Sequence, residues 1–597
     1  MWGLQHMVAI VGLQAYIPSC TSLLDTTNIF KEGKVIVPGN LVGKAAQVTS
    51  WGIEDINDFS NGIGLPTLLE FDPGFFQVTP RDSQIMDPQQ RKLLETIYNC
   101  FFDAGISPED AERYGPVGCF VGAGVSNYLE VMAAPQPTHF SESTRHYVGN
   151  DLSALALRTA YLLNLTGPAW TVLSTCSSSL LAVQHAFNYV ESGEGSFAIA
   201  AGAHIDFLTG LYAPEAGGII SPTRRCRPLS AGADGTYFTN GICAILIASN
   251  SAISKLLLSP YAQILGAGVS NDGRRKAGYT SPSIAGQASA IRQAYRNANI
   301  SHRPDVLELH GTGTRIGDPI ELQALADAFS DMSPSPVYIG SAKSNFGHLN
   351  STAGLLGLMK LTLSLTNSVC YPTMGCQPLT ALFDFEQHNF IPCEELMPLQ
   401  QDAIGGVSSF GIGGTNVHIV LKGHSASKST NESSQFFIVL VGSHDEELLI
   451  PQLGKIMAIA GMSHVDVSSD RLARTCAHLF KGERFLALAA FLKGSTEPVC
   501  LEPLPPVSTS TSTEPKLESS NGTHKSNARH TIVSRLADTL EKIDGANHYA
   551  ELNYLLDIAL GLGGDNCELA PVHGIQKAFR TDRFLITSNV PSSIRSN

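Results

Sequence analysis

The 22 residues from Trp170 to Glu191, WTVLSTCSSSLLAVQHAFNYVE, constrain the fold more than any other stretch, because a strand, a thiol and an apolar helix follow one another without a spacer. Trp170, Thr171, Val172 and Leu173 read as a short buried strand, and Leu180, Leu181, Val183, Ala186, Phe187 and Val190 recur at near-helical spacing. Cys176 falls at the join. Unpaired backbone N–H groups and the positive end of the helix macrodipole favour thiolate over thiol at such a place. Cysteine is also among the most buried residue types, so Cys176 becomes a nucleophile only if a histidine from elsewhere serves it.

At 597 residues the chain exceeds one ordinary core, and 15% charged residues, 43% apolar residues and 55 glycines fit a large α/β enzyme better than a disordered or fibrous chain. The formal charge of −14, unopposed by any long basic run, argues against nucleic-acid binding. Proteins or small molecules are the expected partners. The 12 cysteines are scattered singly, with no CxxC pair and no short Cys/His spacing, so neither a metal site nor a disulfide framework is indicated. A reducing, cytoplasmic setting fits. The N-terminal MWGLQHMVAIVGLQAYIP has no basic n-region and reads as a first strand. No segment approaches the roughly 18 uninterrupted apolar residues of a spanning helix, so no membrane span is expected.

Strand signals at Val8 to Val11, Val117 to Val121, Phe197 to Ala201, Cys243 to Ala248, Val306 to Leu309, Tyr338 to Gly340 and Val417 to Leu421 alternate with helical patterns, which predicts an α/β fold with buried sheets. Asp87 before Pro88 reads as an N-cap with proline at the first helical position, opening a helix through Ala104. After Lys422 the chain turns polar, then resumes an apolar strand at Phe436 to Leu440 with helical patterns at 445–460 and 470–480. Residues 501–530 are Pro-, Ser- and Thr-rich and read as disordered. The expected organisation is a catalytic domain over 1–423, a small α/β domain over 424–500, a disordered linker over 501–530, and C-terminal helices with a tail over 531–597.

Two histidine motifs lie downstream of Cys176: HGTGTRIGDPIE, from His310 to Glu321, and KSNFGHLNSTAGLLGLMKL, from Lys343 to Leu361, which contains His348. Each histidine falls at a junction between a regular element and a loop, where side chains of α/β proteins point into shared clefts. A cysteine with two histidines is a nucleophile with two proton donors or acceptors.

These motifs, together with MDPQQR at 86–91, TCSSSL at 175–180, NDG at 271–273 and GVSSFGIGGTNVHIVL at 406–421, make residues 8–422 resemble the β-ketoacyl synthases, specifically the ketosynthase domains of modular polyketide synthases. The resemblance implies a thiolase-like, five-layered αβαβα fold of two similar halves, and a homodimer. It implies that Cys176 takes an acyl group from a carrier thioester, that a malonyl-type carrier thioester then loses CO₂, and that the resulting enolate attacks the acyl-Cys. His310 and His348 are implied to assist that second stage, Lys343 and Glu321 to form a supporting ion pair, and the N–H groups of Cys176 and Ile412 to form the oxyanion hole. Thr312, Thr314 and Phe410 fall where the family binds substrate and its pantetheine arm. The chain itself is expected to hold no cofactor; the phosphopantetheine arm belongs to a partner acyl carrier protein. Residues 436–494 resemble the linker domain that follows such ketosynthases.

One departure stands out. Where the family has an acidic residue in a Phe-Arg-Gly-Glu-Gly segment, this chain reads FTNG, with Asn240 in place of the glutamate. Its loss is expected either to loosen a loop hydrogen bond or to mark altered elongation, so a non-elongating scaffold that binds or passes on acyl carriers is the alternative reading. Neither GIGGTN at 411–416 nor GLGGD at 561–565 has the context of a dinucleotide fingerprint. No acyltransferase serine elbow or carrier serine motif is visible, which predicts an acyltransferase supplied in trans. Arg224, Arg225 and Arg227, with Arg274, Arg275 and Lys276, are the surface charges expected to dock an acidic carrier.

Overall fold

The computed structural model describes residues 7–37, 64–131, 140–207 and 218–424, apart from positions 21, 66, 257 and 259, together with residue 214 and short strands at 48–49, 52–53, 436–443, 485–492 and 500–503. Eleven strands form one sheet: β1 (Val8–Tyr16), β2 (Gly118–Ala123), β3 (Ala169–Val172), β4 (Phe197–His204), β5 (Gly241–Ser249), β6 (Ala262–Asn271), β7 (Val306–Glu308), β8 (Val337–Gly340), β9 (Phe390–Pro392), β10 (Ile404–Phe410) and β11 (Thr415–Gly423). Their spatial order is β9-β8-β7-β10-β11-β6-β1-β5-β4-β2-β3.

That order contains the same unit twice. In the first half β2 runs parallel to β3 and β4, and β5 runs antiparallel to β4 and β1. In the second, β7 runs parallel to β8 and β10, and β11 runs antiparallel to β10 and β6. The halves meet where β1 pairs with β6, and β9 is an additional parallel edge strand beside β8.

Alternation of side chains along the strands builds five layers. Phe197, Ile199, Ala201 and Ala203 of β4 share a core with Leu93, Ile97 and Phe101 of α1 (Pro88–Ala104). Ala198 and Ala200 face the other way, into the core of Leu180, Val183 and Phe187 from α2 (Ser178–Glu191). The second half repeats this: Val417, Ile419 and Leu421 of β11 face the same central core. Val420 faces an outer one lined by Ile291 and Tyr295 of α3 (Ile284–Asn297) and Leu322 and Leu325 of α4 (Gly317–Ala328). The central layer is completed by α5 (Ala353–Thr366), which is buried from Ala353 to Leu365 and meets α2 end to end, the Leu355 N–H donating to Ser179 Oγ at 3.1 Å. The fold is thiolase-like.

Asp87 caps α1 as expected, its side chain accepting from the Gln89 N–H with Pro88 in the first turn. Beyond the main sheet, strands Phe436–Ser443, Phe485–Leu492 and Cys500–Pro503 pair antiparallel. The expected boundary between 500 and 501 therefore cuts a strand. Residues 501–503 precede most of the polar tract and gain backbone pairing from a neighbour, which a composition argument does not count. The helical patterns at 445–460, 470–480 and beyond 531 lie outside the described residues. No helix among the described residues is long and apolar enough to cross a membrane.

Candidate active site

Cys176 lies in a single 3₁₀ turn, Thr175–Ser177, between β3 and α2. Thr175 adopts a φ of 57°, a left-handed conformation that costs a β-branched residue, so the turn has to be held by its surroundings. Serines hold it. The Ser174 N–H donates to Ser178 Oγ at 2.8 Å, Ser178 Oγ donates to the Thr175 carbonyl at 2.7 Å, and Ser177 Oγ donates to the Ser174 carbonyl at 2.9 Å. From the second half, Ser409 Oγ donates to the Cys176 carbonyl at 2.8 Å. Gly411 passes so close that a Cβ there would lie 2.4 Å from the Ser174 carbonyl oxygen.

Burial raises the Cys176 thiol above its ordinary pKa, against the opposing pull of the Lys343 charge, the backbone N–H groups of Ile412 and Cys176, and the Thr175 hydroxyl. This corrects the expectation that the helix start favours thiolate: a 3₁₀ turn separates Cys176 from α2, and desolvation of the anion is the largest influence. The two N–H groups both lie beside the sulfur and oppose that rise.

His310 follows β7, and His348 follows the short helix Lys343–Phe346. Their rings meet edge-on, with centroids 5.6 Å apart at 88°. Phe410, which immediately precedes the turn that reaches Cys176, packs 5.6 Å from the His310 ring, and Phe238 packs 5.2 Å from His348. Burial pushes both histidines well below their ordinary pKa, helped by the Lys343 charge and by a neighbouring histidine in each case. They are neutral imidazoles at physiological pH. The Asn350 N–H donates to His348 Nδ1 at 2.9 Å, so the neutral ring carries its proton on Nε2.

Glu321 and Lys343 feel each other's charge but make no direct ion pair of the kind expected. Among the described residues Lys343 has no ion pair within 4 Å, because the two Glu321 oxygens accept the His310 N–H at 2.7 Å and the Gly311 N–H at 2.8 Å. Glu321 clamps the histidine loop by its backbone. Lys343 is buried and acts through its charge on Cys176, His310 and His348, while burial pushes Glu321 up to about 8. Thr312 and Thr314, both half-buried, place their hydroxyls 3.1 Å apart, and Thr314 Oγ1 accepts the Gly317 N–H at the start of α4. Sequence reasoning missed Asp318, which accepts the Gly313 and Leu229 N–H groups and organises that loop. Its place within GDPIE was the available signal.

Asn240 has a structural task. Its Oδ1 accepts the Asp206 N–H at 2.9 Å and its Nδ2 donates to the Asp206 carbonyl at 3.0 Å. A carboxylate could make only the first of these, so the departure from glutamate ties this loop rather than loosening it. Asn240→Asp is expected to cost about 2 to 3 kcal/mol, because the donor is lost and a buried carboxylate faces a carbonyl. The denaturant midpoint measures this, and an unchanged midpoint would show that the tie contributes nothing.

Residues 5–252 match the beta-ketoacyl synthase N-terminal domain and residues 261–377 its C-terminal domain. The chain belongs to the β-ketoacyl synthase family. The ketoacyl-synthetase C-terminal extension also matches, over residues 379–467, which spans the end of the sheet and the start of the appended strands. The ketosynthase is 34% identical over 434 residues to polyketide synthase GfsB of Streptomyces halstedii, covering 70% of this chain and 8% of that one. To polyketide synthase PksN of Bacillus subtilis it is 31% identical over 461 residues, covering 74% of this chain and 8% of that one. It therefore spans only a small part of the length of either relative. Among solved structures, ketosynthase twelve of the bacillaene polyketide synthase from Bacillus amyloliquefaciens superposes with a TM-score of 0.72 at 27% identity, covering 83% of this chain and 87% of that one.

Proposed function

We propose that this ketosynthase extends an acyl chain by decarboxylative Claisen condensation between an acyl group on Cys176 and a malonyl-type thioester on an acyl carrier protein. The observation that carries the reading is a half-buried thiol beside two backbone N–H donors, linked through Lys343 and Phe410 to two neutral imidazoles. In the first stage the pantetheine arm passes Thr312, Thr314 and Phe410, and Cys176 Sγ attacks the thioester carbonyl. The tetrahedral oxyanion accepts from the Cys176 and Ile412 N–H groups, a donor of this kind contributing about 3 kcal/mol. The bond to the pantetheine sulfur then breaks, and that sulfur takes the proton Cys176 gave up. In the second stage the malonyl carboxylate leaves as CO₂ and its bonding electrons form an enolate. The enolate oxygen accepts from His348 Nε2–H, with His310 beside it. The enolate carbon attacks the acyl-Cys176 carbonyl and expels the thiolate.

The phosphopantetheine arm is the carrier's, and the malonyl group arrives already loaded, its acyltransferase supplied in trans. A second copy of the chain is supported by β3, a terminal strand of the sheet, where Trp170 is 44% exposed and Leu173, just beyond the strand, 60%. Intact-protein mass spectrometry with an acyl-carrier donor and a malonyl-carrier acceptor tests the function: the acyl mass should appear on Cys176 and leave as a lengthened β-ketoacyl carrier. An adduct that persists after malonyl carrier is added would replace elongation with the scaffold reading. Label from malonyl-CoA on any serine of the chain would end the in-trans assignment.

The two stages should respond differently to pH. Loading should rise about tenfold per pH unit between about pH 6 and pH 8, following the thiolate fraction of a thiol with a raised pKa. Condensation from preloaded enzyme should stay flat over the same range, because histidines whose pKa is lowered keep their neutral form down to more acid pH. Stopped-flow loading and single-turnover condensation separate the two.

A further inference from the structure

The Ile412 N–H is presented by a four-residue turn between β10 and β11. The Gly411 N–H donates to the Thr415 carbonyl and the Gly414 N–H to the Gly411 carbonyl, both at 2.8 Å. Lys276, which the sequence groups with Arg274 and Arg275 on the surface, instead lies beneath this turn with its side chain 5% exposed. Its Nζ is 3.8 Å from Asp272 Oδ2, and Asp272 is 2% exposed. Gly414, at a φ of 97°, passes directly over the pair: a Cβ there would lie 2.9 Å from Lys276 Nζ and 3.0 Å from Asp272 Oδ2.

Asp272 is also fastened to the turn. Its N–H donates to the Gly414 carbonyl at 2.9 Å, and Asn416 Nδ2 donates to both Asp272 Oδ1 at 2.7 Å and the Gly414 carbonyl at 3.2 Å. Among the described residues Lys276 Nζ has no hydrogen-bond partner, and it sits 5.4 Å from the centroid of the exposed Tyr279 ring. A buried ammonium without hydrogen bonds is costly to keep, and here its one clear effect is to neutralise the carboxylate that anchors the turn.

We propose that Lys276 is a positioning residue for acyl transfer: with Asp272 it fixes the Gly411–Gly414 turn and thereby aims the Ile412 N–H at the oxyanion. This rests on the proposed role of Ile412. Without the ammonium, the Asp272 carboxylate keeps, among the described residues, only Asn416 as a side-chain partner and is driven toward water. It takes the Gly414 carbonyl with it, and Ile412 lies within the same closed turn. Arg274 and Arg275 have no such place: both are exposed, and among the described residues the Arg275 side chain bonds the Asp272 and Asn271 carbonyls.

The test compares two reactions of Cys176 in the full chain. Transfer from an acyl N-acetylcysteamine thioester passes through an oxyanion, whereas alkylation by iodoacetamide does not. Lys276→Met should slow acyl loading about tenfold, a fraction of the effect of losing an oxyanion donor outright, with alkylation changed by less than about twofold. Lys276→Arg, which keeps the charge, should load within about threefold of wild type. Asp272→Asn keeps an acceptor for Asn416 and should show the same split, so the proposal stays testable if Lys276→Met does not fold. Unchanged loading in the variants, or loading and alkylation falling together, would overturn the positioning role. A wild-type chain that alkylates but never loads would overturn the proposed function and this role with it, whereas wild-type loading matched by Lys276→Met overturns the role alone.

Discussion

Cys176→Ala is expected to abolish acyl loading, lowering condensation by about 10⁴-fold or more, as when a covalent nucleophile is removed, while stability changes by less than about 1 kcal/mol. The turn explains the second half of that expectation. The hydrogen bonds that hold its backbone come from Ser174, Ser177, Ser178 and Ser409 and do not involve the sulfur, so removing the thiol leaves the strained Thr175 backbone held as before. Selectivity follows from burial. Of the described cysteines, Cys176 alone is not fully buried. Burial also pushes the Cys20 and Cys119 thiols up to about 12. Intact mass after incubation with an acyl carrier, paired with a thermal melt, measures both halves. A stable acyl adduct on another cysteine of the variant would end the assignment.

The candidate site residues were easier to pick out in the sequence than the scaffold that carries them. Apolar runs marked strands such as β4 and β5, but β6 (AQILGAGVSN) and β10 (IGGVSSF) are interrupted by glycine and carry no such run. Their glycines mark close contacts. A Cβ at Gly268 would lie 2.0 Å from the Ala290 carbonyl oxygen of α3, and one at Gly405 would lie 2.6 Å from Leu361 Cδ1 of α5. The helices press on the sheet there, and that pressure removes the side chains a periodicity argument counts.

The site shows the same division. Cys176 and the two histidines were legible as residue types at junctions, whereas their supports are backbone groups: Asn350 N–H on His348, and His310 and Gly311 N–H on Glu321. Backbone donors leave no mark in a sequence. For the same reason Glu321 looked like a charge partner and Lys276 like a surface charge, since burial and the direction of a side chain are decided by residues distant in the chain.

His348→Ala should separate the two stages of the reaction. In the proposed mechanism loading uses the thiol and the N–H groups of Cys176 and Ile412, and His348 is not among the groups that shift the Cys176 pKa. Acylation should therefore stay within about threefold of wild type, because its oxyanion donors remain in place. Condensation should fall about 10²- to 10³-fold, the effect of deleting one preorganised donor to a developing oxyanion. With Nδ1 accepting from Asn350, the Nε2–H is the group available to an enolate oxygen, and burial keeps the ring neutral so that it donates a hydrogen bond without giving up its proton. His348→Gln offers an amide N–H at a similar reach and should recover part of the lost condensation, whereas a purely structural role would give no such recovery. The measurement is a pair of single turnovers for each variant, acyl-enzyme formation by intact mass and β-ketoacyl-carrier release after addition of malonyl carrier. A variant that cannot be acylated would make His348 the base for the thiol and move its role from the second stage to the first.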